Sequence, residues 1–192
     1  MHRKSNRRLQ QIEKTVARLF ASKGYHSTSM RDIARELGMT QASLYYYFKS
    51  KEDILFKLMN DAMDDALEAM EQICAAHLPA EEKLIRVLNF YTRYYAGDQD
   101  REILLLNEMN SLAESSRRIL IEKQRRYVQL FYEMLDELRS LGQLKDIHPS
   151  VATFAFFGMV HYTVKWYRRD GPVKLDQLAD MFVQIFTRGI LI

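Results

Sequence analysis

Cysteine is nearly absent from this chain: Cys74 stands alone among 192 residues. A single thiol closes no internal disulfide, so nothing ties the fold to an oxidising compartment, and the cytoplasm is the expected location. Proline and glycine are also scarce, at three and seven residues, and no long run alternates β-branched with polar residues. That scarcity argues against a strand-and-turn architecture and predicts an all-helical protein. Long apolar runs are missing as well. The longest, Val151 to Val164, is interrupted by His161 and falls short of the roughly 20 residues a membrane helix needs, so no membrane partner is expected. The basic opening MHRKSNRR leads into a polar helix and not into the apolar core of a signal peptide. Internal repeats and low-complexity segments are absent.

Chemical motifs are absent too. The chain has no Gly-rich phosphate loop, no nucleophile elbow, no Cys/His pair at metal spacing and no His-Glu-x-x-His on a helix. No catalytic residue, metal or cofactor is predicted, and the chain is not read as an enzyme. The five histidines are widely spread, with His26 read as a turn residue.

What is present is a 47% hydrophobic composition, enough for a sizeable core in one or two domains, and an uneven charge distribution. Residues 1–60 hold twelve Lys and Arg against five Asp and Glu, whereas residues 61–192 hold sixteen against twenty. The basic end suits a polyanion, because neutralising phosphates releases counterions; the bland alternative is a solubilising charge run.

The basic end also contains the most informative stretch, Ser29 to Leu55. Met30, Ile33 and Leu37 fall at i, i+3 and i+7, so a short helix is expected to bury one stripe and turn Arg31, Arg35 and Glu36 outward. Ser29 is a capping residue with Asp32 completing a capping box, Gly38 ends the helix, and Thr40 caps a second one from Gln41 to Phe48. Leu44 and Phe48 point inward on that second helix. Ala42 and Tyr46 face the opposite way, flanked by Ser43 and Tyr45, which makes an outer surface of small, hydroxyl and aromatic groups. Such a surface suits a DNA major groove, where hydroxyls and amides meet base edges and small residues permit close approach.

Together with Phe20, Gly24 and Thr28 of the preceding helix and turn, the residues Ile33-Ala34, Gly38, Leu44-Tyr45, Phe48, Lys51-Glu52 and Ile54-Leu55 resemble the DNA-binding domain of the tetracycline-repressor (TetR) family of bacterial regulators. The resemblance covers roughly the first third of the chain. It implies a helix-turn-helix DNA-binding domain at 1–50 and a larger helical effector-binding and dimerisation domain at 51–192. By position it implies base or groove contacts for Gln41, Ala42, Ser43, Tyr45 and Tyr46, and phosphate contacts for Ser29, Arg31, Thr40, Tyr47 and Lys51. The helical wheel agrees except at Tyr47, which lies nearer the buried side.

Ahead of that stretch, a first helix over 5–23 places Ile12, Val16, Leu19 and Phe20 on one face and turns Arg7, Arg8, Lys14 and Arg18 largely to others. After it, Ser50 starts a long helix that runs through Ile73 toward His77, and in the family this helix connects the two domains. Further helices are expected at 81–96, broken by Gly97-Asp98; at about 101–112; and at 115–141, with Ile119, Tyr127, Phe131, Met134, Leu135 and Leu138 inward. Pro149 opens a helix that is apolar nearly all round, as for one buried on more than one side, and that ends at Asp170-Gly171-Pro172. A last helix over 175–188 puts Leu178, Ala179, Phe182, Ile185 and Phe186 on one stripe and is closed by Gly189. The resemblance implies that these last two helices pair with their copies to form a homodimer.

The second half is rich in aromatics, and phenol and indole groups in a helical interior need partners. A cavity among them would suit an apolar effector with one polar end. The candidate ligand-binding residues are Tyr91, Tyr95, Met109, Tyr127, Phe131, Phe157, His161 and Trp166. The segments Lys165-Trp166-Tyr167-Arg168, Asp170-Gly171-Pro172 and Leu178-Ala179 resemble family branches that regulate fatty-acid or related acid catabolism, whose effectors are acyl-CoA thioesters. Arg117, Arg118, Arg125 and Arg126 form a basic patch that reads either as a solvated face or as a set of phosphate contacts for such a ligand.

The expected function is a ligand-responsive, dimeric DNA-binding repressor released from a palindromic operator by a small apolar or acyl-CoA-like effector. The rival reading is a helical enzyme or carrier whose N-terminal bundle binds a protein.

Overall fold

A computed structural model of the chain describes the backbone of residues 2–192 and the side chains of residues 8–192. The faces predicted for Arg7 and the basic arm before it lie outside the described residues. The helices are α1 (His2–Lys23), α2 (Met30–Glu36), α3 (Gln41–Tyr47), α4 (Lys51–Ala75), α5 (Ala80–Gly97), α6 (Gln99–Asn107), α7 (Glu114–Ser140), α8 (Pro149–His161), α9 (Thr163–Trp166) and α10 (Leu175–Ile190). This is the all-helical class predicted. Among the described residues no strand forms. One isolated bridge, Leu144 to Leu191, ties the C-terminal end to the loop after α7. No described helix is long and apolar enough to cross a membrane. The chain divides into two compact units, residues 1–62 with 100–120, and residues 63–99 with 121–192, the division falling inside α4 and α7.

In the first unit, α1 buries Ile12, Val16, Ala17 and Phe20, while Leu19 is only half-buried. On α2 the buried pair is Ile33 and Ala34; Met30 and Leu37, expected on the inward stripe, are half-buried, because a helix of seven residues has barely two turns and only its middle is enclosed. Its start is the predicted capping box, with Ser29 and Asp32 bonded in both directions. Its end is a Schellman turn: the Gly38 N–H donates to the Arg35 carbonyl and the Met39 N–H to that of Ala34. Gly38 sits at φ +61°, where a side chain would be strained. Thr40 then caps α3 by accepting the Ser43 N–H at 3.1 Å. Leu44 and Phe48 seal α3 against the bundle, and the Lys57 ammonium on α4 lies 3.4 Å from the buried Glu13 carboxylate on α1.

The segment 100–120 belongs to this same unit. Ala113, just before α7, donates its N–H to the Glu52 carboxylate at 2.7 Å, and Ser111 Oγ lies 3.0 Å from His26 Nε2. One helix was expected over 101–112. Instead α6 ends at Asn107 and a single 3₁₀ turn covers Met109–Ser111, where the Ser111 hydroxyl bonds the Glu108 carboxylate at 2.7 Å and competes with the helical ladder.

In the second unit α10 packs along α5. As expected, α5 ends at Gly97-Asp98, with Gly97 its last residue and Asp98 its C-cap; a Cβ on Gly97 would come 3.1 Å from a Leu175 methyl, so the absent side chain permits the contact. α4 stops at Ala75, short of His77, and α10 continues through Gly189 to Ile190. On α7, Ile119 is 43% exposed and Leu120 is buried in its place. The apolar stretch after Pro149 is not one doubly buried helix. It breaks at Tyr162 into α8 and α9, where the Thr163 hydroxyl takes the Val160 carbonyl at 2.6 Å. Val151, Phe154 and Tyr162 are exposed, as are Met181 and Ile185 of α10, so Ile185 leaves the stripe assigned to it. The inner side of α8 carries Phe156, stacked on Phe131 with centroids 5.5 Å apart.

Two outcomes are expected in the first unit. Leu44→Ala should cost about 2–5 kcal/mol of stability by chemical denaturation, as for a fully enclosed leucine. The Ser29 hydroxyl and backbone N–H hold the Asp32 carboxyl down to about 2, against an opposing effect of burial and with a lesser pull from Lys23 and Arg35. Because the folded value is depressed, the box contributes fully above the ordinary value of 3.8 and is lost as pH falls toward 2. Ser29→Ala should therefore lower the thermal midpoint at pH 7 and flatten its fall over that acid range.

Candidate nucleic-acid interface and ligand cavity

The outward face of α3 follows from its two anchors. With Leu44 and Phe48 turned in, Gln41, Ala42, Ser43, Tyr45 and Tyr46 all turn out. Tyr46 is 86% exposed and Tyr45 51%, and Tyr47 is half-buried with its ring edge-on to Tyr46 at 5.4 Å. A single chain gives water a phenol that it could have packed. A concave surface of about 630 Å3 runs beside this face, bordered by Arg8, Gly38, Thr40, Ser43, Tyr46 and Tyr47 among others. Arg8 was assigned no contact from sequence, since it lies on α1, far along the chain from α3.

Three of the residues carried over as phosphate contacts have intramolecular bonds. The Ser29 hydroxyl donates to Asp32 at 2.6 Å, and the Thr40 hydroxyl lies 2.8 Å from that of Ser43. Lys51 donates to the Tyr25 carbonyl at 2.9 Å and sits 4.2 Å over the Tyr25 ring, a cation–π pairing. Arg31 is exposed. Burial, together with the negative charges of Glu52 and Glu108, pushes the Tyr25 phenol up, so this ring stays neutral against the ammonium.

The second unit contains a cavity of about 590 Å3 between α5, α7 and α8. Of the eight residues proposed from sequence, Tyr91, Tyr127, Phe157 and His161 line it. Tyr95 and Phe131 are buried without lining it. Trp166 packs beside Tyr167 and Phe182, and Met109 belongs to the first unit. Sequence reasoning missed Ile121, Gln124, Val128, Gln129, Tyr132 and Phe154 on the wall, and it named Arg125, which also lines it, only as one of the basic patch. The spacing of 121, 124, 125 and 128 on α7 is a helical stripe that was available as a signal.

Inside, Tyr91 stacks on Phe157 with centroids 5.1 Å apart, and its hydroxyl lies 3.2 Å from His161 Nε2. The Tyr127 hydroxyl accepts from Tyr95 at 3.3 Å and donates to the Met63 carbonyl on α4 at 2.5 Å. Burial pushes the Tyr127 phenol well up; the Tyr95 hydrogen bond works against this, and the nearby Asp64 and Asp65 add to it. This phenol therefore stays a donor throughout the physiological range. Polar groups at defined points in a mostly apolar chamber are what a small amphiphile needs. No His, Cys, Asp or Glu cluster among the described residues could hold a metal ion.

Tyr127→Phe should cost about 1–3 kcal/mol by chemical denaturation, because it removes both the buried hydrogen bond to the Met63 carbonyl and the one from Tyr95.

With this geometry in place, comparison with known proteins adds two family matches, one relative and two solved structures. Residues 14–58 match the family described as bacterial regulatory proteins, tetR family, and residues 77–190 match the tetracyclin repressor-like C-terminal domain. The fatty acid metabolism regulator protein of Bacillus subtilis is 28% identical over 182 residues, 94% of each chain. A TetR-family transcriptional regulator from Bordetella parapertussis is 33% identical, with TM-score 0.82 over 92% of each chain. AibR, solved with isovaleryl coenzyme A and operator DNA, is 30% identical, with TM-score 0.81 over 93% of this chain and 97% of its own.

Proposed function

Because the chain belongs to the tetR family of bacterial regulatory proteins, we propose that it is a dimeric transcriptional repressor of the cytoplasm, released from a palindromic operator by a small apolar or acyl-CoA-like effector. The observation that carries this reading is the outer face of α3, where Tyr46 stands 86% exposed on a short helix capped at its start and sealed by Leu44 and Phe48. Residues 1–50 are the DNA-binding part and residues 51–192 the effector-binding and dimerisation part. Gln41, Ala42, Ser43, Tyr45 and Tyr46 contact base edges and the groove. Ser29, Arg31, Thr40, Tyr47 and Lys51 contact phosphates, with Ser29, Thr40 and Lys51 using the hydrogen-bonding capacity their internal bonds leave over.

The dimer is supported by the open apolar face of Val151, Phe154, Tyr162, Met181 and Ile185, which a second copy of α8 and α10 would cover. Two α3 helices related by that two-fold axis would enter successive major grooves, about 34 Å apart, and so require an approximate palindrome. The effector reading is supported by the cavity in the second unit and by the relatives, one a fatty acid metabolism regulator and one solved with isovaleryl coenzyme A. Release follows if the effector favours a conformation in which the reading helices are misplaced. Tyr127 lines the cavity and bonds the Met63 carbonyl of α4. As α4 is one helix from Lys51 to Ala75, a shift at Met63 is passed along its length.

Footprinting of the full chain on genomic fragments, including the region upstream of its own gene, should reveal a protected palindrome. Affinity should fall roughly a hundredfold or more between about 50 and 200 mM salt. Retention of no specific fragment, or a flat salt response, would overturn the reading. Tyr46→Ala should weaken operator binding about tenfold or more while stability stays within about 0.5 kcal/mol; a large drop in thermal midpoint would mean that Tyr46 is packed and not presented.

A further inference from the structure

Resting on the reading of this cavity as the effector site, we infer that Arg125 selects effectors that carry a negative charge on an apolar chain. α7 holds five cations between residues 117 and 126, and carboxylates engage four of them. Arg117 and Arg118 both pair with Glu114. Lys123 lies 2.5 Å from Asp64. Arg126 is 3.0 Å from Glu71 and 3.8 Å from Glu133. Arg125 forms no ion pair among the described residues, and it is the residue of the five that lines the cavity.

The rest of that wall makes its sign count. No carboxylate lies among the lining residues. Tyr91, Phe154 and Phe157 supply ring surface, and the Tyr91 hydroxyl beside His161 supplies hydrogen bonds. Arg125 is solvent-exposed on that wall, so its charge is accessible to an incoming ligand, and its planar fork fits a carboxylate or phosphate with two parallel bonds. A cationic amphiphile meets repulsion here, and a neutral one gains only its apolar contacts. The four engaged neighbours cannot substitute for Arg125 without breaking an ion pair of their own. The basic stretch of α7 thus divides into four cations that hold the helix and one that reads the ligand.

The test is isothermal titration of the full-length protein with three probes of equal chain length: dodecanol, laurate and lauroyl-CoA. Arg125→Met keeps the apolar stem and removes the charge. It should weaken laurate and lauroyl-CoA about tenfold or more, as expected for loss of a charge-assisted bond, and shift dodecanol by about twofold or less. Arg125→Lys should recover part of the loss, since the charge returns without the fork. Loss confined to lauroyl-CoA would support the inference and identify the coenzyme A phosphates as the group that is met; loss confined to laurate would support it and identify a free acid. Equal loss for all three probes, no loss for any, or no binding of any probe to the unsubstituted protein would overturn it. Operator release is read separately. If charge preference is found and the bound anions leave operator binding unchanged, the effector reading fails while the selection by Arg125 stands.

Discussion

A helix of seven residues has almost no stability of its own, because the cost of nucleating the first turn is spread over too few hydrogen bonds. α3 is such a helix, and everything proposed for the first unit depends on holding it still. Its start is tied by Thr40, its end by the Phe48 N–H returning to the Leu44 carbonyl, and its inner side by complete burial of Leu44. The turn before it is closed at Gly38 by two crossed backbone bonds. With both ends and one face committed, the remaining face has a single direction available, and that is why an 86% exposed tyrosine is a feature of the fold and not an accident of one rotamer.

The second unit solves a different problem, keeping polar groups inside an aromatic interior without leaving them unsatisfied. Tyr127 does this by donating to a helical carbonyl, Met63, and accepting from Tyr95. Its ring still faces the cavity. One side chain therefore serves as wall, as hydrogen-bond junction and as a link to α4. α7 shows the same economy with charge, since its surface ion pairs to Asp64 and Glu71 bind it to α4. Exposed pairs of this kind contribute little stability individually, but they fix which cations are engaged and which one is not.

Local rules carried much of the fold. The capping box at Ser29 and Asp32, the stop at Gly38 and the cap at Thr40 each depend on residues within a few positions of one another, so they could be read directly. Element ends were less legible where a glycine had two possible roles. Gly38 ends a helix because the chain needs a positive φ there, whereas Gly97, also at a helix end, is a glycine because Leu175, remote in sequence, needs the space. Hydropathy did not say what covers α8, where an apolar run of two-sided character has one side open within the single chain. Apolar residues look the same whether the chain's own core covers them or nothing in the same chain does.

The cavity was the least legible part. Tyr91, Tyr127, Phe157 and His161 come together from α5, α7 and α8, while Met109 and Trp166, equally plausible by composition, lie elsewhere. The sequence by itself determined the helical class, the helix-turn-helix with its caps, and the outward set Gln41, Ala42, Ser43, Tyr45 and Tyr46 on α3, because periodicity and capping are set by neighbours in the chain. The tertiary structure alone decided which aromatics line the cavity, that Lys51 rests on Tyr25, and that Arg125, among the described residues, is left without a carboxylate beside otherwise engaged cations. Those outcomes depend on the distance between side chains many residues apart, and only the packing of one helix on another sets that distance.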